Sequence, residues 1–320
     1  MRRKPIVIIA GQAKSVFFEI FFKSLRKKKN ISPIILICCF NLFKINAKKN
    51  NFQNSFNLID KNLDNINFSE NSLNIIDIEY KKSSNKKVQS KYDNEYIVKC
   101  FKVGFKIIKS KITNKFLNGP INKEKFLNKK YLGITEYISE IFGDKKTCML
   151  IYNKKLSVCP VTTHLPIKLI SSTINKSLIF EKLKIIDSFY KKNFKFKPKI
   201  AVTGMNPHCE SILKNNEDRK IVMPAIKLAK QKKILVYGPF PADTIFLKQN
   251  RERFDVILGM YHDQVLTPIK TLFEYDAINI TMGLPFLRVS PDHGPNEKMI
   301  NKSLSNPQSL IRALEFLDKS

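Results

Sequence analysis

Glycine is scarce in this chain, with 10 among 320 residues, and no G-x-G-x-x-G string follows any apolar run. The usual dinucleotide fingerprint is therefore absent, so a nicotinamide cofactor would have to bind by another arrangement. Tryptophan is missing, and no apolar run approaches the roughly 20 residues that cross a bilayer, so no membrane partner is expected. The six cysteines (Cys38, Cys39, Cys100, Cys148, Cys159 and Cys209) contain no C-x-x-C pair. That gives no disulfide framework, and their apolar surroundings fit reduced thiols used as small hydrophobes. Cys209 adjoins His208 and has the chemistry of a zinc ligand. Neighbouring side chains diverge, however, which argues against it.

Acidic residues are also few, 27 against 57 Lys and Arg, for a net charge of +30. Such a surplus raises the question of nucleic acid, because clustered cations neutralise phosphates. Here the cations run along the whole chain with abundant Asn, Ile and Phe, the pattern of codons from an AT-rich genome. No finger, basic heptad or RNA-binding signature accompanies them. Specific nucleic-acid binding is not expected; attraction for anionic substrates is.

The length favours two lobes over one core. Apolar runs alternate with longer amphipathic stretches, the signature of an α/β protein with a largely parallel sheet. Strands are expected at 6–10, 34–39, 73–78, 115–117, 148–152, 156–161, 199–203, 234–237, 255–258 and 277–281. Helices are expected at 16–26, 95–109, 135–141, 177–190, 217–231, 264–272 and 307–317. The segment 46–72, rich in Asn and Lys, reads as a loop. Met1-Arg2-Arg3-Lys4 before an apolar stretch has the outline of a signal peptide, but the stretch is short and no small-residue cleavage pattern follows. It reads as the first buried strand, and the cytoplasm is the expected compartment.

Histidine is the rarest of the reactive side chains, with four copies. Each sits in a polar cluster: Thr162-Thr163-His164, Asn206-Pro207-His208, Tyr261-His262-Asp263-Gln264 and Asp292-His293-Gly294. Imidazole is the commonest metal ligand, and three imidazoles around an open position make a recurring catalytic plan. These histidines are tens of residues apart, so only the fold can bring them together. Three of the clusters, with Gly119-Pro120-Ile121-Asn122-Lys123 and Gly238-Pro239-Phe240-Pro241-Ala242-Asp243, follow expected strands. In open α/β sheets ligands bind outside the carboxyl ends of strands, so these five clusters are placed to line one cleft. Asp243 and Asp263 are the acidic candidates, either as acceptors orienting a histidine or as a base for a hydroxyl proton.

Taken in order, Gly119-Pro-Ile-Asn-Lys123, Thr162-Thr-His-Leu-Pro166, Asn206-Pro-His208, Gly238-Pro-Phe-Pro-Ala-Asp243, Gly259-Met-Tyr-His-Asp-Gln264, Asn279-Ile-Thr-Met-Gly-Leu-Pro-Phe-Leu-Arg288 and Asp292-His-Gly294 resemble the 4-hydroxythreonine-4-phosphate dehydrogenase family of vitamin B6 synthesis. The resemblance covers roughly residues 117–294. It implies an isocitrate/isopropylmalate-dehydrogenase-like fold: two α/β lobes with a cleft between them, 1–125 with 260–320 on the cofactor side and 126–259 carrying the metal ligands. It implies a homodimer whose active site is assembled at the subunit interface. It implies oxidation of 4-phosphohydroxy-L-threonine at C3 with NAD, or NADP in its place, and then decarboxylation to 3-amino-2-oxopropyl phosphate. By the same comparison a divalent ion, zinc first with magnesium or cobalt as alternatives, is held by His164, His208 and His262. Thr135, Lys270, Asn279 and Arg288 match the substrate contacts, and Arg288 suits planar contact with an anion. Outside that context Lys270 would read as a solvated helix residue and Asn279 as a turn residue. No residue is assigned to the nicotinamide.

The pattern breaks at three places. The family's Gly-His-Thr-Glu stands here as Gly133-Ile134-Thr135-Glu136, and Ile134 offers no donor to an anionic oxygen. A charge-assisted contact worth on the order of 1.5–3 kcal/mol is lost there. The loop Gly11-Gln-Ala-Lys-Ser-Val-Phe-Phe-Glu19 keeps only the ends of the family's Gly-Asp-Pro-Ala-Gly-Ile-Gly-Pro-Glu, and Pro295-Asn296 replaces Thr-Ala. These departures leave room for two other readings: a dehydrogenase of a related phosphorylated hydroxy acid such as 4-phosphothreonate, and a non-catalytic metal-binding or basic nucleic-acid-binding paralogue.

Overall fold

Runs such as Ile6-Val-Ile-Ile9 and Ile34-Ile-Leu-Ile-Cys38 are apolar at every position, and each is buried along its whole length. That is the mark of strands covered on both faces by helices. The computed structural model describes residues 3–27, 32–60, 67–122, 131, 133–143, 146–210, 216–292 and 294–320. Two compact units result, Met1–Ile134 with Pro285–Ser320, and Thr135–Leu284.

The chain begins with β1 (Ile6–Ile9), α1 (Phe17–Lys27), β2 (Ile34–Cys38), α2 (Phe40–Lys49), β3 (Phe56–Leu58), β4 (Leu73–Asp77), α3 (Lys86–Lys109) and β5 (Lys115–Asn118). It continues with α4 (Ile134–Phe142), β6 (Cys148–Tyr152), β7 (Ser157–Thr162), α5 (Ile170–Thr173), α6 (Lys176–Asn193), β8 (Ile200–Thr203), α7 (Met223–Gln231), β9 (Val236–Phe240), α8 (Lys248–Arg251), β10 (Val256–Tyr261), α9 (His262–Phe273) and β11 (Ile278–Met282). It closes with β12 (Leu287–Pro291) and α10 (Gln308–Lys319), which belong to the first unit.

In the first unit the strand order is β3-β4-β2-β1-β5-β12, with every pairing parallel. Its core is aromatic: α1 buries Phe17, Phe18, Phe21 and Phe22, and Phe22 meets Phe52 with centroids 4.6 Å apart. The loops leave the sheet tightly. A side chain on Gly119 would put its Cβ 2.3 Å from the Ala10 carbonyl oxygen, so only glycine lets the end of β5 pass β1.

In the second unit the order is β11-β6-β7-β10-β8-β9. β7, β10, β8 and β9 are parallel neighbours, and β6 runs antiparallel to both β7 and β11. Val158, Ala201, Ile257, Val265 and Ile269 are fully buried in its core. Asn175 caps α6 by accepting from the Leu178 amide at 2.9 Å, which is why that helix starts at the Asn-Lys-Ser step.

The α/β class is the one expected, and ten strands fall where apolar runs place them. Five elements do not. The segment 46–72, expected as loop, carries the end of α2 and the edge strand β3; β12 and the four-residue helices α5 and α8 were not anticipated. The lobe boundary also needs correction. Residues 260–284 pack in the second unit rather than with the termini, because β11 pairs along its whole length with β6. Among the described residues no helix is long and apolar enough to cross a membrane, and all six cysteines are unpaired.

Candidate active site

The register of two strands brings two histidines together. β7 and β10 are parallel neighbours with Thr162 paired to Tyr261, and the Thr162 hydroxyl donates to the Met260 carbonyl at 2.9 Å. His164 lies two residues past β7, and His262 follows β10 directly. Both therefore leave the sheet at one edge, and their rings stand 6.1 Å apart between centroids, 38° from coplanar. Asp263 Oδ1 is 2.6 Å from His262 Nδ1. A carboxylate only accepts, so Nδ1 carries the proton and Nε2 presents its lone pair. Asp263 is thus a hydrogen-bond acceptor for the His262 ring.

Gln264 ties this edge to β8. Its amide oxygen accepts from the Met260 amide and the Thr203 hydroxyl, both at 2.7 Å, and its nitrogen donates to the Gly204 carbonyl at 2.8 Å. Beyond Gly204 the loop is anchored by Asp218, which is fully buried. Its carboxylate accepts from the amides of Met205 and Asn206 at 2.6 and 3.0 Å and from the Asn206 side chain at 3.0 Å. His208 follows on the turn Pro207–Cys209. His208 and Cys209 both lie in the left-handed region, with φ 57° and 60°. Two such non-glycine residues in succession cost about 1–2 kcal/mol each, a strain that clusters at functional sites.

His208 is exposed, and among the described residues no three His, Cys, Asp or Glu side chains gather as a metal-binding group. Within one chain, then, His164 and His262 meet and His208 does not join them. Cys209 is no ligand in this state. Burial first, and then the Asp218 carboxylate, push its thiol up to about 11, so it stays protonated at neutral pH. Asp243, on the exposed turn after β9, also acts electrostatically on Cys209, which places it on the His208 side of the site.

The residues that the resemblance matches to substrate contacts are found in both units. In the second, Thr135 in the first turn of α4 has its hydroxyl 3.4 Å from that of Thr281 on β11. Asn279 stands two residues earlier on that strand, in a paired position and not a turn. Its amide oxygen is buried and without a hydrogen-bond partner. Lys270 is half-buried on α9. In the first unit Arg288 is 3% exposed, and its Nε donates to Asn118 Oδ1 at 2.8 Å. Its Nε is therefore engaged within the first unit. Ile134 is 6% exposed and presents only hydrocarbon. Lys123 and His293 lie outside the described residues.

Also in the first unit, Gln12 joins three loops. Its side chain accepts from the Asn122 amide at 3.0 Å and donates to Glu297 at 2.9 Å. Sequence reasoning passed over Gln12, Asn118, Asp218 and Gln264. Gln264 alone had a local signal, its place beside His262-Asp263; the others work through contacts distant in sequence.

Polar residues gathered at the carboxyl ends of parallel strands in each unit mark an α/β enzyme of the kind that binds its ligands beyond those strand ends. Residues 26–317 match the family model described as pyridoxal phosphate biosynthetic protein PdxA, and the chain belongs to that family. It is 35% identical to a 4-hydroxythreonine-4-phosphate dehydrogenase of Sulfurihydrogenibium sp. over 97% of this chain and 96% of the relative. It is 30% identical to a D-threonate 4-phosphate dehydrogenase of Pectobacterium atrosepticum over 98% of each. Among solved structures, a 4-hydroxythreonine-4-phosphate dehydrogenase from Klebsiella pneumoniae superposes with a TM-score of 0.82 at 28% identity, covering 98% of both chains.

Proposed function

We propose that this protein is a 4-hydroxythreonine-4-phosphate dehydrogenase acting in the cytoplasm in pyridoxine phosphate synthesis, oxidising 4-phosphohydroxy-L-threonine at C3. The 3-oxo acid then loses CO2 to give 3-amino-2-oxopropyl phosphate. The observation that carries this reading is the His164–His262 pair with its Asp263 acceptor, in a chain matched to the family from 26 to 317.

The donor set fits a divalent cation. Imidazole nitrogens meet zinc at about 2.0–2.1 Å, which sets two rings on one tetrahedral ion about 5 Å apart between centroids. The observed 6.1 Å is about 1 Å wider, a gap that binding an ion would close by small turns of the two rings. His164 and His262 would hold the ion, and in this reading His208, exposed on its strained turn, completes the set in a second copy of the chain. A cation held by these imidazoles would supply Lewis acidity to the C3 oxygen, and NAD would supply the hydride acceptor. Asp263 keeps His262 in the metal-binding tautomer, which leaves Asp243, on the His208 side, as our candidate for the hydroxyl proton, contributed with His208 by the second copy. In this reading Thr135, Asn279 and Lys270 of the second unit bind substrate, and Arg288 of the first supplies a cation for an anionic group. The Gln12-centred loops at the carboxyl ends of β1, β5 and β12 suit the dinucleotide, a location typical of parallel sheets.

A second reading has its own support. The D-threonate 4-phosphate dehydrogenase relative is matched over nearly the whole chain, and Ile134 removes a donor from the substrate site. Purified protein loaded with zinc, magnesium or cobalt should form NADH with 4-phosphohydroxy-L-threonine. NADH formed only with D-threonate 4-phosphate would reject the first reading for the second.

A further inference from the structure

The strands that lead to the three histidines are joined by two different means. β7 and β10 stay paired up to Thr162 and Tyr261, so a backbone ladder runs to the point where His164 and His262 leave the sheet. The ladder between β8 and β10 ends earlier. It pairs Ile200, Ala201 and Val202 with Val256, Ile257 and Leu258, and His208 lies on the loop beyond. Where that ladder ends, the Gln264 side chain takes over. Its oxygen accepts from the Met260 amide and the Thr203 hydroxyl, both at 2.7 Å, and its nitrogen donates to the Gly204 carbonyl at 2.8 Å. A backbone N–H only donates and a carbonyl only accepts, so these partners fix which end of the side chain faces which strand. The Thr203 hydroxyl has a single proton; its other acceptor, the Leu258 carbonyl, is 3.5 Å away, so the shorter bond to Gln264 is the one it makes. Gly259 leaves room for the side chain to fold back, since a Cβ there would lie 3.1 Å from Gln264 Oε1 and 2.3 Å from Val265 Cγ1.

Gln264 stands in the first turn of α9, two residues after His262, and its partners all lie where chain leaves the sheet. Met260 precedes His262 by two residues, and Gly204 opens the loop that Asp218 then holds at Met205 and Asn206 on the way to His208. One side chain thus fixes the end of β10 against the start of the His208 arm. Ordering a glutamine costs side-chain entropy that offsets much of what its hydrogen bonds add to stability. Position is what remains. We infer that Gln264 is a positioning residue for the metal centre: by bracing β10 against β8 it sets where His262 and the His208 arm stand, and with that the affinity for the ion. The inference rests on the cation-binding part of the function proposed above, and it holds whichever subunit's site His208 serves.

The test measures zinc affinity by competition with a chelator, well below the melting temperature, for wild type and Gln264→Leu, which keeps the bulk of the side chain and makes none of its three bonds. The variant should bind zinc about 10- to 100-fold more weakly, and the visible absorption of bound cobalt should shift as the surrounding ligands move. A merely structural role lowers Tm and leaves both readouts alone, so zinc affinity within about twofold of wild type overturns the inference. Should Gln264→Leu fail to fold by circular dichroism, the partner residue decides. Thr203→Val keeps the shape and removes the hydroxyl, whereas Thr203→Ser keeps the hydroxyl. Zinc binding weakened about threefold or more in Thr203→Val and restored in Thr203→Ser supports the brace; equal affinities in the two overturn it. Wild type that holds neither zinc nor cobalt removes the metal centre and this inference with it. Wild type that holds them but forms no NADH defeats the proposed activity alone, and the comparison of variants still decides the role of Gln264.

Discussion

At the scale of single residues, the site depends on side chains that hold other side chains. Asp263 gives His262 its tautomer through a 2.6 Å contact, and acceptors of this kind typically set metal affinity by 10–100-fold. Asp263→Asn should weaken zinc binding by about that factor in a titration against a competing chelator, and unchanged affinity would remove Asp263 from the site. Asp218 is a structural counterpart, with three donors on one fully buried carboxylate. Asp218→Ala leaves those donors dry and should cost about 2–4 kcal/mol in urea unfolding. Cys209 makes a third case. Its thiol, pushed up to about 11, bears little thiolate at pH 8. The reactive anion is depleted below that value and recovers as pH rises. Carboxymethylation in the native protein at pH 8 should therefore run about 100-fold slower than for a free cysteine and accelerate toward pH 11. A rate equal to that of the unfolded chain would contradict the burial that causes the shift.

At the scale of elements, close approach of strand ends is what gathers the loops, and Gly119 shows its cost. An added methyl would meet the Ala10 carbonyl at 2.3 Å and Phe17 Cδ2 at 2.7 Å. Backbone yields less readily than a side chain, so Gly119→Ala should destabilise by about 1–3 kcal/mol in thermal or urea melts. This level was also the most legible in the sequence. The apolar runs of β1 and β2 declare themselves, and the polar strings after β7, β8, β9 and β10 mark the loops that carry His164, His208, Asp243 and His262. What stayed hidden has physical reasons. β12 contains Arg288 and Ser290, both buried, so no apolar run announces it. α2 buries only Phe43 and Ala47, too narrow a stripe to stand out among Asn and Lys, and β3 is a three-residue edge strand exposed at both ends. The lobe boundary missed residues 260–284 because a β-ladder between β11 and β6 leaves no local trace.

At the scale of the whole molecule, the separation of the three histidines becomes a statement about assembly. One chain brings His164 and His262 to 6.1 Å, while His208 stands exposed on a turn that belongs to no three-donor group among the described residues. If the set is completed across a two-fold axis, each site uses His164 and His262 of one subunit and His208 of the other. Single variants His208→Ala and His262→Ala would then each be inactive alone, because every site in either homodimer lacks a ligand. Mixed and refolded together, they form hybrid dimers in which one site carries both substitutions and the other carries neither. With random pairing, half the dimers are hybrids and half their sites are whole, so activity and tightly held zinc should return to about a quarter of wild type. A triad contained within one chain predicts no recovery, since every chain in the mixture then lacks one of its own ligands. Recovery that persists after the mixture is diluted to monomers, as judged by sedimentation, would equally reject the shared site.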